Sequence, residues 1–313
     1  MVMEIMNGQG ISHTFAVLLM VGLLSLLSIS KAMGRSKNAE ALFITAELSN
    51  NNPYEGEAAV LTYMLWARSA DIGFARRVDE TSFFKDGEGY IAPLEIDNRG
   101  YRRTLDGETY FVFPLESYVV AADGKGSFRF KGGSFDVGVN YPVVYEDPFW
   151  GRRRGYKTDE RRILIPELAF KVRSLPAPDI KNDETATVGN FTVSTLVPPG
   201  EIILEEPARA IITLKGRGLL GSEVLPQYAE AFKGENIKLK SMSEGRRTYY
   251  DGKSVVSELT LDCEFIPMEK EVVIGEVSFR FFNPTNGRYE KVSSSPVTVK
   301  VKSITSKVET VDI

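Results

Sequence analysis

Short runs in which apolar and polar residues alternate dominate the chain and predict β-strands. The clearest runs occupy residues 208–214, 255–265 and 297–302, where every second side chain is apolar with few exceptions. That period of two is typical of a strand with one buried face. Residues 58–66 are apolar on both faces, which predicts a central strand. A helical period is almost absent, so we predict an all-β chain.

Turn residues between these runs indicate the architecture. Asp123-Gly124 and Gly132-Gly133 are typical turn signals, and such signals recur at intervals of roughly 8 to 12 residues. This spacing predicts two tandem immunoglobulin-like antiparallel β-sandwich domains. The Cys…Trp…Cys signature of true immunoglobulin domains is missing, so the prediction covers the architecture alone.

A proline-containing segment divides the predicted domains. Residues 173–188 contain Pro176 and Pro178, followed by a polar stretch, and this composition favours a semi-rigid linker. We therefore predict a first sandwich over residues 41–172, the linker over 173–188, a second sandwich over 189–302 and a flexible tail over 303–313.

Three pairs of similar segments suggest that the two domains arose by duplication. They follow the same order in each half, with spacings that require insertions in loops. The pairs are 102–107 with 246–252, 127–130 with 278–281, and 170–172 with 299–301.

The N-terminal region contains an apolar run of 15 residues, Phe15 to Ile29. A membrane-spanning helix needs about 20 residues, whereas the core of a secretory signal is shorter. The basic residues Lys31, Arg35 and Lys37 follow the run, and none precedes it. We predict that residues 1–34 are a signal peptide or an N-terminal anchor and that the protein is exported to the periplasm.

Composition and charge restrict the kinds of binding and catalysis that we expect of the protein. The net charge of −4 and the pI of about 5.4 give no reason to expect nucleic-acid binding, which usually requires a basic domain or stripe. Cys263 is the single cysteine and His13 the single histidine, and His13 lies in the predicted leader. The mature chain therefore lacks the usual catalytic base and the commonest zinc ligand. We predict a non-enzymatic protein without cofactor or metal; a carboxylate glycosidase stays open and would require two acids facing each other across a cleft.

The most site-like segment runs from Tyr145 to Tyr156. It combines large aromatic residues with Pro, Gly and arginines, as interface anchors do. Residues 151–162 carry six basic and two acidic side chains, a local charge of +4. One interpretation is docking to a partner or to anionic headgroups; the other is a long hairpin that folds its aromatic residues onto its own sandwich. The candidate partner-binding residues are Phe149, Trp150, Arg152, Arg153, Arg154 and Tyr156.

The second half contains a segment that resembles the BatD aerotolerance (oxygen-tolerance) family. The residues that carry the resemblance are Phe265-Ile266-Pro267, Gly275, Val277, Phe279, Phe281-Phe282-Asn283-Pro284, Gly287, Tyr289, Ser294-Ser295-Pro296 and Val299-Lys300-Val301. Leu175-Pro176 with Val188-Gly189-Asn190-Phe191 resembles that family's domain junction, and Glu55-Gly56-Glu57 resembles the start of its first domain.

This resemblance implies a periplasmic, membrane-associated stress-response protein built of immunoglobulin-like domains. It also implies von Willebrand A-type membrane proteins as partners and, across the membrane, a MoxR-type ATPase. The family's usual C-terminal membrane helix has no apolar counterpart here. Two expectations follow from that difference: an anchor at the N-terminal run, or a member that is soluble.

The sequence therefore leads to two functional hypotheses. The first is an exported, non-enzymatic protein-interaction or scaffold module of a cell-envelope complex. The alternative is an adhesin-like sandwich that binds carbohydrate or another surface, with Phe149, Trp150 and Tyr156 as a platform for sugar rings.

Overall fold

The fold is described from a computed structural model. The structure describes residues 42–68, 71–79, 83–95, 97–178 and 187–303. The predicted signal peptide or anchor at 1–34, the later part of the predicted linker and nearly all of the predicted tail lie outside these ranges. Within them the chain forms nineteen β-strands and one 3-10 turn, and every strand pair is antiparallel. The predicted all-β class of antiparallel, immunoglobulin-like sandwiches is confirmed.

Three sheets make up the first half of the described chain. The strands are β1 (Leu42–Leu48), β2 (Ala59–Ala67), β3 (Ile72–Arg77), β4 (Phe84–Asp86), β5 (Glu88–Pro93), β6 (Tyr101–Leu105), β7 (Glu108–Asp123), β8 (Gly126–Phe130), β9 (Gly133–Asp147), β10 (Gly151–Ile165) and β11 (Leu168–Val172). One sheet has the order β1-β2-β7-β5, with β6 also paired to β7. The other two have the orders β10-β9-β3 and β11-β8-β4.

All three sheets contribute side chains to one hydrophobic core. Strand β2 lies between β1 and β7 and is buried along most of its length, as its two apolar faces predict. Tyr63 and Leu65 of β2 are buried together with Phe130 of β8, Phe135 of β9 and Phe170 of β11. The sheets therefore pack face to face, and the base of the β9–β10 hairpin is fixed in this core.

The second half forms its own core. Its strands are β12 (Gly189–Leu196), β13 (Ala208–Gly218), β14 (Ile237–Tyr250), β15 (Val255–Pro267), β16 (Glu271–Ile274), β17 (Ser278–Asn283), β18 (Arg288–Ser293) and β19 (Val297–Lys300). The main sheet has the order β12-β13-β15-β14, and β16-β19 and β17-β18 form separate pairs. Leu259, Leu261 and Phe265 of β15 are fully buried, in agreement with the predicted alternation.

A small apolar cluster joins the two halves. Val60 and Val119 of the first half are buried together with Val255 of the second. At another point Tyr54 packs edge-on against Phe282, with ring centroids 4.8 Å apart. Each half thus has a core of its own and shares a contact with the other, while the predicted domain boundaries stay a prediction.

Candidate functional site

The longest hairpin of the first half carries the residues predicted to bind a partner. Strands β9 and β10 pair without interruption from Gly133↔Ile165 to Asp147↔Gly151. Strand β3 flanks β9 only as far as Val139. Beyond that point, among the residues that the structure describes, β9 and β10 pair only with each other. We call residues 140–158 the distal hairpin. Seven residue steps at roughly 3.4 Å carry its end about 24 Å beyond the Asn140–Thr158 pair.

A three-residue turn closes the distal hairpin and fixes its end. The Asp147 Oδ1 atom accepts hydrogen bonds from the backbone N–H groups of Phe149 at 2.9 Å and Trp150 at 3.0 Å. Pro148 restricts its own φ, and Gly151 has φ of 69°, a left-handed conformation that glycine adopts without strain. These residues define the tip, 147–151, and together they hold two aromatic residues at the end of the hairpin.

Both aromatic side chains at the tip face solvent. Phe149 is 89% exposed and Trp150 is 73% exposed. No residue of the distal hairpin is buried. The hairpin therefore does not fold these side chains onto its own sandwich, which was the alternative interpretation of this segment.

The candidate residues are divided between the two faces of the hairpin. Side chains alternate along a strand, so Arg152, Arg154 and Tyr156 lie on one face and Arg153 on the other. The guanidinium of Arg153 lies over the Trp150 ring, 5.3 Å from its centroid. Tyr156 is 74% exposed but lies on the opposite face from Arg153. The structure therefore does not bring Phe149, Trp150 and Tyr156 into one platform for sugar rings.

The positive charge of the distal hairpin is largely uncompensated. Among the residues that the structure describes, Arg152, Arg154 and Lys157 form no ion pair, although register places Glu146 opposite Arg152. At the base of the hairpin the situation differs, because Arg162 binds Asp136 with an Nε–Oδ1 distance of 2.9 Å. The guanidinium of Arg162 holds the pKa of Asp136 below its usual range.

The structure adds Tyr145 and Val144 to the exposed surface. Tyr145 is 50% exposed and lies on the same face as Arg153. Its ring covers Gly155, where a Cβ atom would come within 3.0 Å of the Tyr145 Cε1 atom. The sequence showed Tyr145 at the start of the segment, but a diagonal contact with a glycine on the partner strand has no signal in a single strand's pattern.

The thiol of Cys263 lies in the second core, away from any exposed surface. Cys263 is completely buried, as predicted, and burial raises the pKa of its thiol to about 11. A protonated, inaccessible thiol is a poor nucleophile and a poor metal ligand. In the described part of the chain, His, Cys, Asp and Glu form no group of three or more that could hold a metal ion.

The structure contains an open groove with a volume of about 1180 Å³. Glu88, Asp123, Glu223, Arg280 and Lys291 contribute both signs of charge to its lining. Glu88 and Asp123 are cross-strand neighbours on β5 and β7, so these two acids belong to one wall. Glu88 and Asp123 are therefore not a pair that faces across the cleft. Glu55 of the first half and Glu223 of the second half also line the groove, so the carboxylate glycosidase stays a prediction.

Fold and hairpin together define an all-β protein of the immunoglobulin-like sandwich class with a projecting, aromatic-tipped hairpin. No family model matches the chain, and no curated protein matches it. Within the residues that the structure describes, no helix has the length and apolar character needed to cross a membrane.

Three solved structures show distant similarity. The major pilin SpaD from Corynebacterium diphtheriae is 10% identical over 85% of this chain and 68% of that one, with a TM-score of 0.24. A conserved domain protein from Bacillus anthracis is 8% identical over 87% and 91%, with a TM-score of 0.18. The type II cohesin dyad of the ScaA scaffoldin from Acetivibrio cellulolyticus is 8% identical over 83% and 98%, with a TM-score of 0.14. The fold class accordingly rests on the strand pairing itself.

Proposed function

We propose that the protein is an exported, non-enzymatic interaction module that docks on a cell-envelope assembly through its distal hairpin. The observation that carries this proposal is the tip, where Phe149 and Trp150 are held in solvent by a hydrogen-bonded turn. Exposing two large aromatic side chains side by side contributes nothing to the core. Such side chains are instead the residues that anchor interfaces.

The way in which the hairpin is built supports a docking role. Its base is fixed by Phe135 and Val137, which are buried in the first core. Its distal part is an uninterrupted antiparallel ladder. A hairpin that is already paired before it binds loses less conformational entropy on binding than an unpaired loop would, which favours affinity.

The resemblance to the aerotolerance family supplies the proposed setting. In that setting the module works in the periplasm, in an envelope complex with von Willebrand A-type membrane proteins that serves oxygen tolerance. The surface that such a complex would contact is proposed to include Phe149, Trp150, Arg152, Arg153, Arg154 and Tyr156.

Co-sedimentation with native envelope membranes tests the docking proposal. The variant Phe149→Ala/Trp150→Ala should co-sediment at least about tenfold more weakly than the unmodified protein, because hot-spot aromatic residues contribute about 2 kcal/mol or more. Its melting temperature should change by no more than about 2 °C, since both side chains are exposed.

Leu164→Ala is the matched control, because Leu164 is an exposed apolar side chain of the same strand near the hairpin's base. This variant should co-sediment like the unmodified protein. Equal co-sedimentation of the tip variant and the control would overturn the proposal. A large drop in melting temperature of the tip variant would make Phe149 and Trp150 structural residues instead.

A further inference from the structure

We propose that the counterpart of the distal hairpin is an anionic lipid bilayer, which the tip enters end-on. This inference rests on the proposed docking function and names the chemistry of the surface that is bound. It follows from the shape of the hairpin, the position of its aromatic residues and the distribution of its charges.

The tip has the form of a small apolar wedge. Phe149 and Trp150 are neighbours at the extreme end of the hairpin and are the most exposed aromatic pair of the described residues. Aromatic rings, and tryptophan above all, are favoured at the boundary between lipid headgroups and acyl chains. The hairpin holds these rings roughly 24 Å beyond the Asn140–Thr158 pair, so they can reach this boundary while the sandwich stays in water.

Basic side chains surround the wedge on both faces of the hairpin. Arg152 and Arg154 lie on one face, and Arg153 and Lys157 lie on the other. The three arginines are one to three residues from Gly151, within about 10 Å along the strand. A planar layer that is entered end-on meets both faces at the same depth, whereas a protein groove commonly engages one face. The symmetric arrangement therefore favours a layer of anionic headgroups.

Two acidic residues near the tip offset only part of this charge. The Oδ1 atom of Asp147 is occupied by the turn's backbone N–H groups. Glu146 stands opposite Arg152 on one face only. From Asn140 to Thr158 there are four basic and two acidic side chains, so the segment retains a positive balance in an acidic protein. Arginine side chains at this depth can extend along the surface to phosphate groups.

Protein-free vesicles provide the direct test. The full chain is titrated with vesicles of neutral phosphatidylcholine and with vesicles that also contain phosphatidylglycerol, at low and high salt. Trp150 is the only exposed tryptophan, because the second one, Trp66, is 1% exposed and donates its Nε1–H to Thr45. Binding should shift the emission of Trp150 to the blue and make it sensitive to brominated lipid, only with the anionic vesicles, and the shift should weaken as salt rises.

Variants separate the two parts of the site. Affinities of the variants are compared by co-sedimentation with the vesicles, because some of them lack Trp150. Phe149→Ala/Trp150→Ala should bind the anionic vesicles at least about tenfold more weakly. Arg152→Gln/Arg153→Gln/Arg154→Gln should bind about 100-fold more weakly, because each basic residue near an anionic surface contributes about a fivefold factor in affinity. Trp150→Phe should bind within about threefold of the unmodified protein, yet lose the fluorescence shift.

The charge-matched control is Lys238→Gln/Lys253→Gln/Lys300→Gln. These three lysines are exposed and lie in the second half of the chain. Their substitution removes the same net charge as the triple arginine variant does. This control should keep nearly all of the vesicle binding, since the field of distant charges is screened.

Three outcomes would overturn the lipid proposal. They are an absence of binding to anionic vesicles, equal binding by the tip variant, and equal losses in the arginine variant and the lysine control. If native envelope membranes still bind in a tip-dependent way while vesicles do not, a protein is the counterpart and the docking function stands. If neither surface binds through the tip, both proposals fail.

Discussion

Gly216 of β13 lies directly against the backbone of β12. A Cβ atom at this position would stand 2.2 Å from the carbonyl oxygen of Asn190 and 2.6 Å from the Cα atom of Phe191. Both are backbone atoms, so no side-chain rotation can relieve the contact. At Gly245, on β14 of the same sheet, nothing lies within 4 Å of the place where a Cβ atom would stand.

This difference gives a prediction for a matched pair of variants. Gly216→Ala should lower the free energy of unfolding by about 1 to 3 kcal/mol, as expected for forced overpacking. Gly245→Ala should leave it unchanged within about 1 kcal/mol, or raise it slightly, by restricting the unfolded chain. Urea denaturation followed by circular dichroism measures both. Equal destabilisation by the two substitutions would contradict the packing around Gly216.

Burial of Cys263 should make stability depend on alkaline pH. Its pKa is raised to about 11 by burial, from an ordinary value of 9.0. Between these values the folded protein keeps the proton and the unfolded chain releases it. The stabilisation is complete below pH 9 and decreases as pH rises toward 11.

The unmodified protein should therefore lose on the order of 1 to 3 kcal/mol more than Cys263→Ala between pH 8 and pH 11. Tyr118, whose pKa burial raises to about 12, contributes equally to both proteins and cancels in the comparison. Urea unfolding at several pH values measures the difference. Parallel pH profiles, or rapid reaction of the thiol with a soluble disulfide reagent in the folded protein, would show that Cys263 is accessible.

The two tryptophans show what a residue's type can and cannot predict. Trp66 belongs to an apolar run and is buried, as the pattern indicated. Trp150 stands beside Pro148, Gly151 and three arginines, a context that favoured a surface but equally allowed a folded-back loop. The choice between these depends on the turn at Asp147 and on where β3 stops, and both are properties of the assembled sheet.

At the scale of elements, the β9–β10 hairpin combines a structural base with a distal part that the core does not need. Phe135 and Val137 are buried in the first core. No residue from 140 to 158 is buried. The first pair of the distal hairpin, Asn140 and Thr158, is joined by a hydrogen bond of 2.7 Å from the Thr158 hydroxyl to the Asn140 Oδ1 atom.

Replacing residues 142–156 by Asn-Gly should therefore leave the fold intact. The Asn140 N–H bonds to Asp71 on the β3 side. The next pair, Tyr141 and Lys157, therefore turns its backbone hydrogen-bonding groups toward each other, as the pair that closes a two-residue type I′ turn must do. We expect the melting temperature to change by no more than about 2 °C, while membrane co-sedimentation is lost. Phe135→Ala, at the base, should instead cost about 3 to 5 kcal/mol. Thermal unfolding of both variants, with co-sedimentation of the truncated one, tests this division; destabilisation by the truncation would place the distal hairpin among the structural elements.

The sequence predicted the positions of the strands better than it predicted which strands pair with each other. The alternation over 255–265 correctly placed one face of β15 in the core. The similar segments 127–130 and 278–281 both form strands, β8 and β17. However, β8 pairs with β11, whereas β17 pairs with β18 and not with β19, the strand that was expected to correspond to β11. Strand pairing depends on loop lengths and on which sheet faces meet. The local alternation of apolar and polar residues carries no information about either.

At the scale of the whole molecule, the two halves pack against each other through the cluster of Val60, Leu94, Val119 and Val255. Val255 belongs to β15 of the second half, yet it is buried among residues of the first. Composition and pattern predicted two cores, because each half contains its own set of alternating runs. They gave no sign of this joint cluster, since a buried valine in a strand has the same pattern whichever core covers it.

A double-mutant cycle should detect this contact. Val255→Ala and Val119→Ala should each cost about 1 to 2 kcal/mol, and together they should deviate from additivity by at least about 0.5 kcal/mol, because both line one small cluster. Val137→Ala, in the first core, is the control partner for Val255→Ala and should be additive within about 0.5 kcal/mol. Free energies from urea unfolding test this. Additivity in both cycles would mean that the halves are energetically independent.

The projecting hairpin also affects how copies of the protein meet in concentrated solution. In the described part of the chain, β10 pairs only with β9, so its outer edge offers unused backbone donors and acceptors to any strand that approaches. Arg152, Arg153 and Arg154 occupy that edge strand, and identical cations repel two hairpins that approach side by side. The same arginines would thus act as gatekeepers against self-assembly. Strong salt, or their replacement by neutral residues, would favour edge-to-edge oligomers and eventually cross-β aggregates.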